Sequence, residues 1–154
     1  MEIKRNQVYE ADCVEILQSL PSMSADLVIA DPPYYHMKGP FDFVYDSIPQ
    51  YLEWCFQWVS ECYRILKPTG AFYCWGSCQM IDKLSVHVLD RFGWTKRNLI
   101  VWNFATGRPG KACYRHETEF MWFYSNPLHE INHDRIRIPY HSGWEKDKRK
   151  NPKG

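Results

Sequence analysis

The strongest constraint on the fold is a short apolar run that ends at a rigid turn. Residues 26–30 read Asp-Leu-Val-Ile-Ala, and Asp31-Pro32-Pro33-Tyr34 follows directly. An apolar run of this length, bounded by turn residues, is typical of a buried parallel strand. In open α/β sheets, ligands bind at the carboxyl ends of such strands. The sequence therefore predicts a functional site at residues 31–34.

The two prolines decide what this turn can bind. Proline fixes φ and lacks an N–H donor, so the turn is stiff and its carbonyls stay available as acceptors. Asp31 adds a carboxylate and Tyr34 adds an aromatic ring. Together these groups suit a planar base that carries an amino group. An ordinary Asp-Pro-Pro turn is the alternative, but the position after a strand favours a binding site.

The chemistry of an amino-bearing base fits these residues. Its amino nitrogen is a poor nucleophile because its lone pair is delocalised into the ring. Asp31 and the Pro32 carbonyl can accept both N–H bonds, while Tyr34 stacks on the base. Flipping a base from a duplex costs roughly a few kcal/mol, and stacking returns about 1–3 kcal/mol. The hypothesis is methyl transfer from a sulfonium donor, catalysed by positioning and electrostatics.

Strand and helix patterns alternate along the chain. The predicted strands are Val8–Glu10, Asp26–Ala30, Ala71–Trp75, Leu99–Phe104, Glu119–Ser125 and a short one at Ile136–Ile138. The predicted helices follow Asp12, follow Ser47, and cover Met80–Phe92 up to Gly93. This order predicts an α/β protein with a doubly wound sheet, whose last two long strands form an antiparallel hairpin at one edge.

Two helices carry capping signals at their starts. Asp12 precedes Glu15, and Ser47 precedes Gln50, at the spacing of a capping box. The second helix is expected to stop at Lys67–Gly70, where Pro68 cannot continue it. Its apolar positions are Leu52, Cys55, Phe56, Val59, Cys62, Tyr63 and Leu66. The irregular segment 35–45 is expected to overhang the turn at residues 31–34.

Charge divides the chain of 154 residues into two parts. Residues 1–103 hold nine Lys/Arg against twelve Asp/Glu, whereas residues 104–154 hold ten against six. A basic segment suits a polyanion such as DNA, although a solvated tail explains the last lysines equally well. We expect residues 1–125 to form a catalytic domain and residues 126–154 to begin a target-recognition or linker region.

Cysteine usage and hydropathy indicate the compartment. The six cysteines have no paired framework spacing, and no apolar run approaches a membrane span. We expect no signal peptide before them. A cytoplasmic protein without a membrane partner is expected. Cys74 with Cys78 and His129 with His133 have loosely metal-like spacing, but neither has a second pair. We therefore predict no metal site.

Several blocks of the chain, in order, carry a family resemblance. They are Glu10–Cys13, Asp26–Tyr34, Glu61–Gly70, Leu99–Asn103 and Arg115–Glu117. In these blocks the chain resembles the amino-terminal part of the adenine/cytosine amino-DNA methyltransferases. The similar subgroup is the one whose catalytic region precedes its cofactor region, and its members serve in restriction-modification.

The resemblance implies a fold, a cofactor and site residues. The fold would be a Rossmann-like methyltransferase sheet, apparently incomplete, and the cofactor would be S-adenosyl-L-methionine. Asp31, Pro32, Pro33 and Tyr34 would form the pocket for a base flipped from duplex DNA, with Asp31 also near the donor methyl group. Asp12-Cys13 would touch the adenine of the cofactor. Asp31 favours adenine N6 over cytosine N4, because the cytosine enzymes more often have Ser there.

One departure from the family pattern is informative. Members of the subgroup carry a Phe-x-Gly-x-Gly turn for the methionine end of the cofactor, and this chain has no Gly-x-Gly. We expect a fragment, a truncated product or one subunit of a split enzyme, which needs a complementing chain or a homodimer and is inactive alone. Two alternatives stay open: an amino-methyltransferase of RNA or protein, and a non-catalytic nucleic-acid-binding remnant.

Overall fold

The chain forms a mixed four-stranded sheet with helices packed against it. The computed structural model describes residues 3–37, 39–104, 111, 114 and 117–136. The strands are β1 (Ala25–Ala30), β2 (Leu66–Gly76), β3 (Thr95–Asn103) and β4 (Thr118–Ser125). The helices are α1 (Cys13–Ser19), α2 (Ile48–Ile65), α3 (Ile81–His87) and α4 (His133–Ile136), with 3-10 turns at Pro40–Phe43 and Leu89–Arg91. None of the described helices is long and apolar enough to cross a membrane.

The strand order is β1-β2-β4-β3. β1 and β2 run parallel, with Ala30 opposite Cys74, and α2 lies in the connection between them. β4 pairs antiparallel with both β2 and β3. The predicted antiparallel pair at one edge is confirmed. β1 forms the other edge, so the turn that follows it stands at the border of the sheet.

Helix α2 supplies more buried hydrophobic residues to the core than any other described element. Ser47 caps it through a bond from the Gln50 N–H at 3.4 Å, and a proline stands in its first turn. Its buried residues are Tyr51, Cys55, Trp58, Val59, Cys62 and Ile65. This stripe overlaps the predicted one at Cys55, Val59 and Cys62. It differs at Phe56, which is 40% exposed, and at Tyr51, which is 2% exposed and was not predicted. Phe56 lies at the edge of the buried face, where its ring stacks on Phe92 with centroids 5.3 Å apart.

The core lies between α2, α3 and one face of the sheet. Phe72 and Cys74 of β2 and Tyr124 of β4 are all on this face, and Val14 and Leu17 of α1 pack at its border. The described helices α1 to α3 therefore cover the same face. The turn after β1 leaves the sheet beside this core. Buried side chains can therefore form hydrogen bonds to the backbone of the turn.

Four local predictions were wrong. Residues 8–10 form no strand, and β3 begins at Thr95 rather than Leu99. The predicted helix over 80–92 ends at His87 and resumes as a 3-10 turn, because Val88 leaves helical geometry with φ −123° and ψ −65°. Ile136 is the last residue of α4 rather than the start of a strand, and the rest of that prediction lies outside the described residues.

The end of the second helix, predicted at Lys67–Gly70, also differs in the structure. β2 starts at Leu66, directly after α2, and the register jumps from Ala25–Leu66 to Leu27–Ala71. Residues 67–70 therefore form a bulge within the strand. Pro68 has no N–H for the ladder, which explains why regular pairing resumes only at Ala71.

Candidate functional site

The turn at residues 31–34 leaves the carboxyl end of β1, as the sequence predicts. Asp31 is exposed, while Pro32, Pro33 and Tyr34 are half-buried. No described residue donates a hydrogen bond to the Pro32 carbonyl. The Asp31 carboxylate and this carbonyl are thus two acceptors on one stiff turn.

Two buried side chains form hydrogen bonds to the backbone of the turn. The Tyr51 hydroxyl donates to the Pro33 carbonyl at 2.7 Å, and an Asp42 carboxylate oxygen accepts from the Tyr34 N–H at 2.7 Å. Tyr51 and Asp42 are each only 2% exposed. Hydrogen bonds to charged groups in a poorly solvated site are stronger than average. The turn is therefore fixed at two successive residues.

The segment after the turn has a strained backbone. Tyr35 and His36 both have φ of 58°, in the left-handed region that non-glycine residues rarely occupy. Such residues cost about 1–3 kcal/mol each and cluster at functional sites. Their rings stack on each other at 4.1 Å, and the His36 N–H donates to the Asp42 carbonyl at 2.9 Å. These contacts brace the bend at residues 35–37.

One cleft lies on the helix side of the turn and is called the apolar cleft. Its volume is about 430 Å³, and Asp31, Pro32 and Pro33 form one end of it. Cys13 of α1 and Trp54 of α2 also line it. The remaining walls are formed by Tyr9, Ala11, Ile16, Leu17, Val28, Ile29, Ala30, Trp58 and Cys62. Its walls and size suit a flat, largely apolar ligand.

A second cleft lies on the other side of the turn and is called the carboxylate cleft. Its volume is about 500 Å³, and it is lined by Asp31, Pro32, Pro33, Tyr34, Phe41, Asp42 and Glu119. These described lining residues include three carboxylates and no cation. A ligand edge that carries N–H donors fits such walls. The segment Asp31–Pro33 belongs to both clefts, so a group could pass between their ligands there.

Burial and negative charge set the protonation of the aromatic and thiol groups. The pKa of Tyr34 is raised well above its usual value. Burial is the largest cause, followed by the interaction with the Asp31 carboxylate and the negative charge of Glu119. The phenol thus stays protonated. Burial, then the charge of Asp12, raises the pKa of the Cys13 thiol. Both the Tyr34 phenol and the Cys13 thiol are therefore uncharged near neutral pH.

The predicted site residues come together, with one qualification for Asp12. Its carboxylate caps α1 through the N–H groups of Val14 at 2.8 Å and Glu15 at 3.2 Å, while its neighbour Cys13 lines the apolar cleft. Of the block 115–117, only Glu117 is described, and its carbonyl accepts from Phe104 N at 2.8 Å. Among the described residues, no three His, Cys, Asp or Glu side chains group as metal ligands.

Several residues of the site escaped the sequence analysis. Tyr51 and Asp42 hold the turn, Trp54 lines the apolar cleft, and Glu119 lines the carboxylate cleft. A stripe of aromatics on α2 was the available signal for Tyr51. Asp42 gave none, because an acid in an irregular segment is ordinarily solvated.

Comparison with known proteins identifies the family. The model of a family described as DNA methylase (N6_N4_Mtase) matches residues 25–154, so the chain belongs to this family. It is 30% identical over 145 residues to the type II methyltransferase M.BglII of Bacillus subtilis, covering 87% of this chain and 39% of that protein. It is 28% identical to the DNA adenine methyltransferase YhdJ of Escherichia coli K12, covering 94% and 51%.

Solved structures support the fold. The cytosine-N4-specific PvuII DNA methyltransferase matches with a TM-score of 0.67 at 19% identity, over 86% of this chain and 54% of that one. The M1.HpyAVI–SAM complex matches with a TM-score of 0.58 at 21% identity, over 80% and 57%. The predicted Rossmann-like methyltransferase sheet is therefore confirmed. The chain spans about two-fifths of the length of M.BglII and about half of the length of YhdJ.

Proposed function

We propose that this chain is the catalytic portion of an S-adenosylmethionine-dependent DNA methyltransferase that acts on an exocyclic amino nitrogen of a flipped base. The observation that carries the proposal is the position of Asp31–Pro33 between two clefts. The donor would occupy the apolar cleft, with its adenine near Asp12-Cys13. The base would occupy the carboxylate cleft.

In this arrangement the Asp31 carboxylate and the Pro32 carbonyl accept the two amino N–H bonds, and the Tyr34 ring stacks on the base. The bound cofactor supplies an electrophilic methyl group. Fixed acceptors favour the amino nitrogen in tetrahedral form, because its lone pair is then directed out of the ring plane. Rate enhancement would come from positioning and preorganised electrostatics.

Adenine N6 is the favoured target within this proposal. The Asp at the first pocket position supports it, as does the similarity to YhdJ, which is named a DNA adenine methyltransferase. The similarity to the cytosine-N4-specific PvuII enzyme makes N4-methylcytosine the competing product. Residues 1–125 would carry the catalytic part, and residues 126–154 would begin the target-recognition or linker region. A cytoplasmic location agrees with the free thiols of the five described cysteines.

A complementing polypeptide, or a second copy of the chain, belongs to the proposal, and the chain alone is expected to be inactive. Parallel strands are normally covered on both faces, and the described helices α1 to α3 cover one. On β1, Leu27 is 51% exposed and Ile29 is 64% exposed. An added segment that covers these side chains and supplies a Gly-x-Gly turn would complete the cofactor site.

The test is methyl transfer by a completed protein, made by joining this chain to the part of M.BglII that it does not cover. Labelled S-adenosylmethionine and mixed-sequence duplex DNA are the substrates, and the methylated nucleosides are separated after digestion. Label in N6-methyladenine supports the full proposal, and label in N4-methylcytosine corrects the target. Label in RNA or protein but not DNA, or DNA binding without transfer, contradicts it.

A further inference from the structure

The carboxylate cleft contains a second aromatic ring that the proposed mechanism does not use. Phe41 lines the cleft together with Tyr34, and it is 61% exposed. An exposed phenyl ring in a cleft loses water favourably when a flat ligand covers it. The ring stands on the short 3-10 turn Pro40–Phe43 rather than in the sheet.

The position of this ring is fixed relative to the catalytic turn. Asp42, the next residue, accepts from the Tyr34 N–H through its carboxylate at 2.7 Å and from the His36 N–H through its carbonyl at 2.9 Å. Its own N–H donates to the Gly39 carbonyl at 3.2 Å. The first two bonds tie the 3-10 turn to both sides of the bend that follows Tyr34, and the third closes the turn itself.

Gly39 makes room for the ring. Its φ is 65°, and a Cβ at this position would lie 3.0 Å from Phe41 Cε1. Glycine is thus needed at this position both for its backbone conformation and to leave space for the phenyl ring. The ring is held against the chain on one side and faces the cleft on the other.

We infer that Phe41 forms the second wall of the base pocket and stacks on the flipped base, and that Asp42 is the positioning residue that holds this wall in place. The inference rests on the proposed function. Tyr34 and Phe41 are the two aromatic residues among the described lining of the cleft, and the acceptors of Asp31 and Pro32 stand beside them. The base would therefore contact rings from two segments while its amino edge meets the acceptors.

The experiment measures binding of a flipped-base mimic by the 154-residue chain. The probe is a short single-stranded oligonucleotide with one 2-aminopurine flanked by abasic sites, so that no extrusion is needed. Stacking on an aromatic ring quenches 2-aminopurine fluorescence. Phe41→Ala is expected to weaken binding by about 5- to 150-fold, the range that corresponds to loss of one stacking ring. Phe41→Tyr should restore affinity and quenching.

Phe43→Ala is the matched control. Phe43 belongs to the same 3-10 turn and is 57% exposed, but it does not line the carboxylate cleft. Its replacement should leave the affinity within about twofold, well below the loss of a stacking contact. Asp42→Asn keeps an oxygen acceptor for the Tyr34 N–H and should retain affinity, whereas Asp42→Ala should lose it. Thermal unfolding by circular dichroism checks that each variant is folded.

The outcomes separate the two proposals. If Tyr34→Ala weakens binding while folded Phe41→Ala binds as the unchanged chain does, the wall assignment is overturned and the proposed function stands. Equal losses for Phe41→Ala and Phe43→Ala also overturn the assignment. Absence of saturable quenching by the unchanged chain, or no effect of Tyr34→Ala and Asp31→Ala, overturns the base pocket itself and with it the proposed function.

Discussion

The hydroxyl of Tyr51, buried in α2, donates a 2.7 Å hydrogen bond to the carbonyl of Pro33. A side chain of the core thus forms a direct hydrogen bond to the turn at residues 31–34. Because Pro33 cannot donate to a backbone partner, this carbonyl bond is one of the few ways to hold the turn from the helix side. The adjacent Pro32 carbonyl is left for a ligand.

Tyr51→Phe is therefore expected to destabilise the fold by about 1–3 kcal/mol, because it leaves a poorly solvated carbonyl without its donor. Urea denaturation monitored by tryptophan fluorescence measures the change. Tyr63→Phe on the same helix is the control, since no hydrogen bond of its hydroxyl is present among the described residues. Equal losses from the two variants would contradict a specific role for the Tyr51–Pro33 bond.

The apolar cleft can be probed through Cys13. Burial and the nearby Asp12 charge raise the pKa of this thiol, so less thiolate is present at a given pH. Its alkylation by iodoacetamide should be slow at pH 8 and should continue to rise above pH 9. Saturating S-adenosylhomocysteine should slow the reaction at Cys13.

Cys78 provides the internal control, because it is also exposed but does not line the apolar cleft. Peptide mass spectrometry follows both thiols in the same sample of the completed protein. Two results would contradict a cofactor in the apolar cleft. One is equal protection of Cys78 and Cys13, and the other is no protection of Cys13 when S-adenosylhomocysteine is saturating.

Alkaline pH should destabilise the fold through its buried thiols. Burial raises the pKa values of Cys55 and Cys62 to about 12. Since the folded pKa lies above the unfolded value, the stabilisation is complete below about pH 8.5 and is lost as pH rises toward 12. Each buried thiol contributes a slope of about 1.4 kcal/mol per pH unit within that window.

The measurement is the free energy of unfolding in urea at pH 8, 9 and 10 under reducing conditions. Cys62→Ala should flatten the decline with pH, and Cys78→Ala should not. A decline that is identical in all three proteins would show that the buried thiols are not its source.

Much of the architecture followed from local patterns, and the site followed only in part. The strand at 25–30 and the helix after Ser47 were predictable because apolar periodicity and caps act within a few residues. The buried face of α2 was predicted only in part: Cys55, Val59 and Cys62 are buried as expected. Tyr51 and Trp58 were missed, because Tyr51 bonds the Pro33 carbonyl and Trp58 contacts Phe72 of β2, partners that no local pattern contains. Asp42 escaped prediction for the same reason: its partner, the Tyr34 N–H, lies eight residues away across a bend.

Substitutions at Gly39 test whether the position of the Phe41 ring matters for binding. Gly39→Ala should cost about 1–3 kcal/mol, because φ of 65° with ψ of 170° is a conformation essentially restricted to glycine. Gly39→Asn meets the same backbone strain and also brings a Cβ against the Phe41 ring. Both variants should lose stability and weaken binding of the 2-aminopurine probe. Unchanged probe affinity in both variants would show that the position of the Phe41 ring does not matter for base binding.

The central claim is that Asp31 stands between donor and base, and single-turnover methyl transfer by the completed protein tests it most directly. Asp31→Asn keeps the shape but replaces one acceptor with a donor, and it should slow transfer by about 10²–10³-fold, as loss of a preorganised group does. Asp12→Asn preserves a capping side chain and should reduce the rate far less. Transfer by Asp31→Asn within about threefold of the unchanged protein, well short of the 10²–10³-fold effect, would contradict the claim.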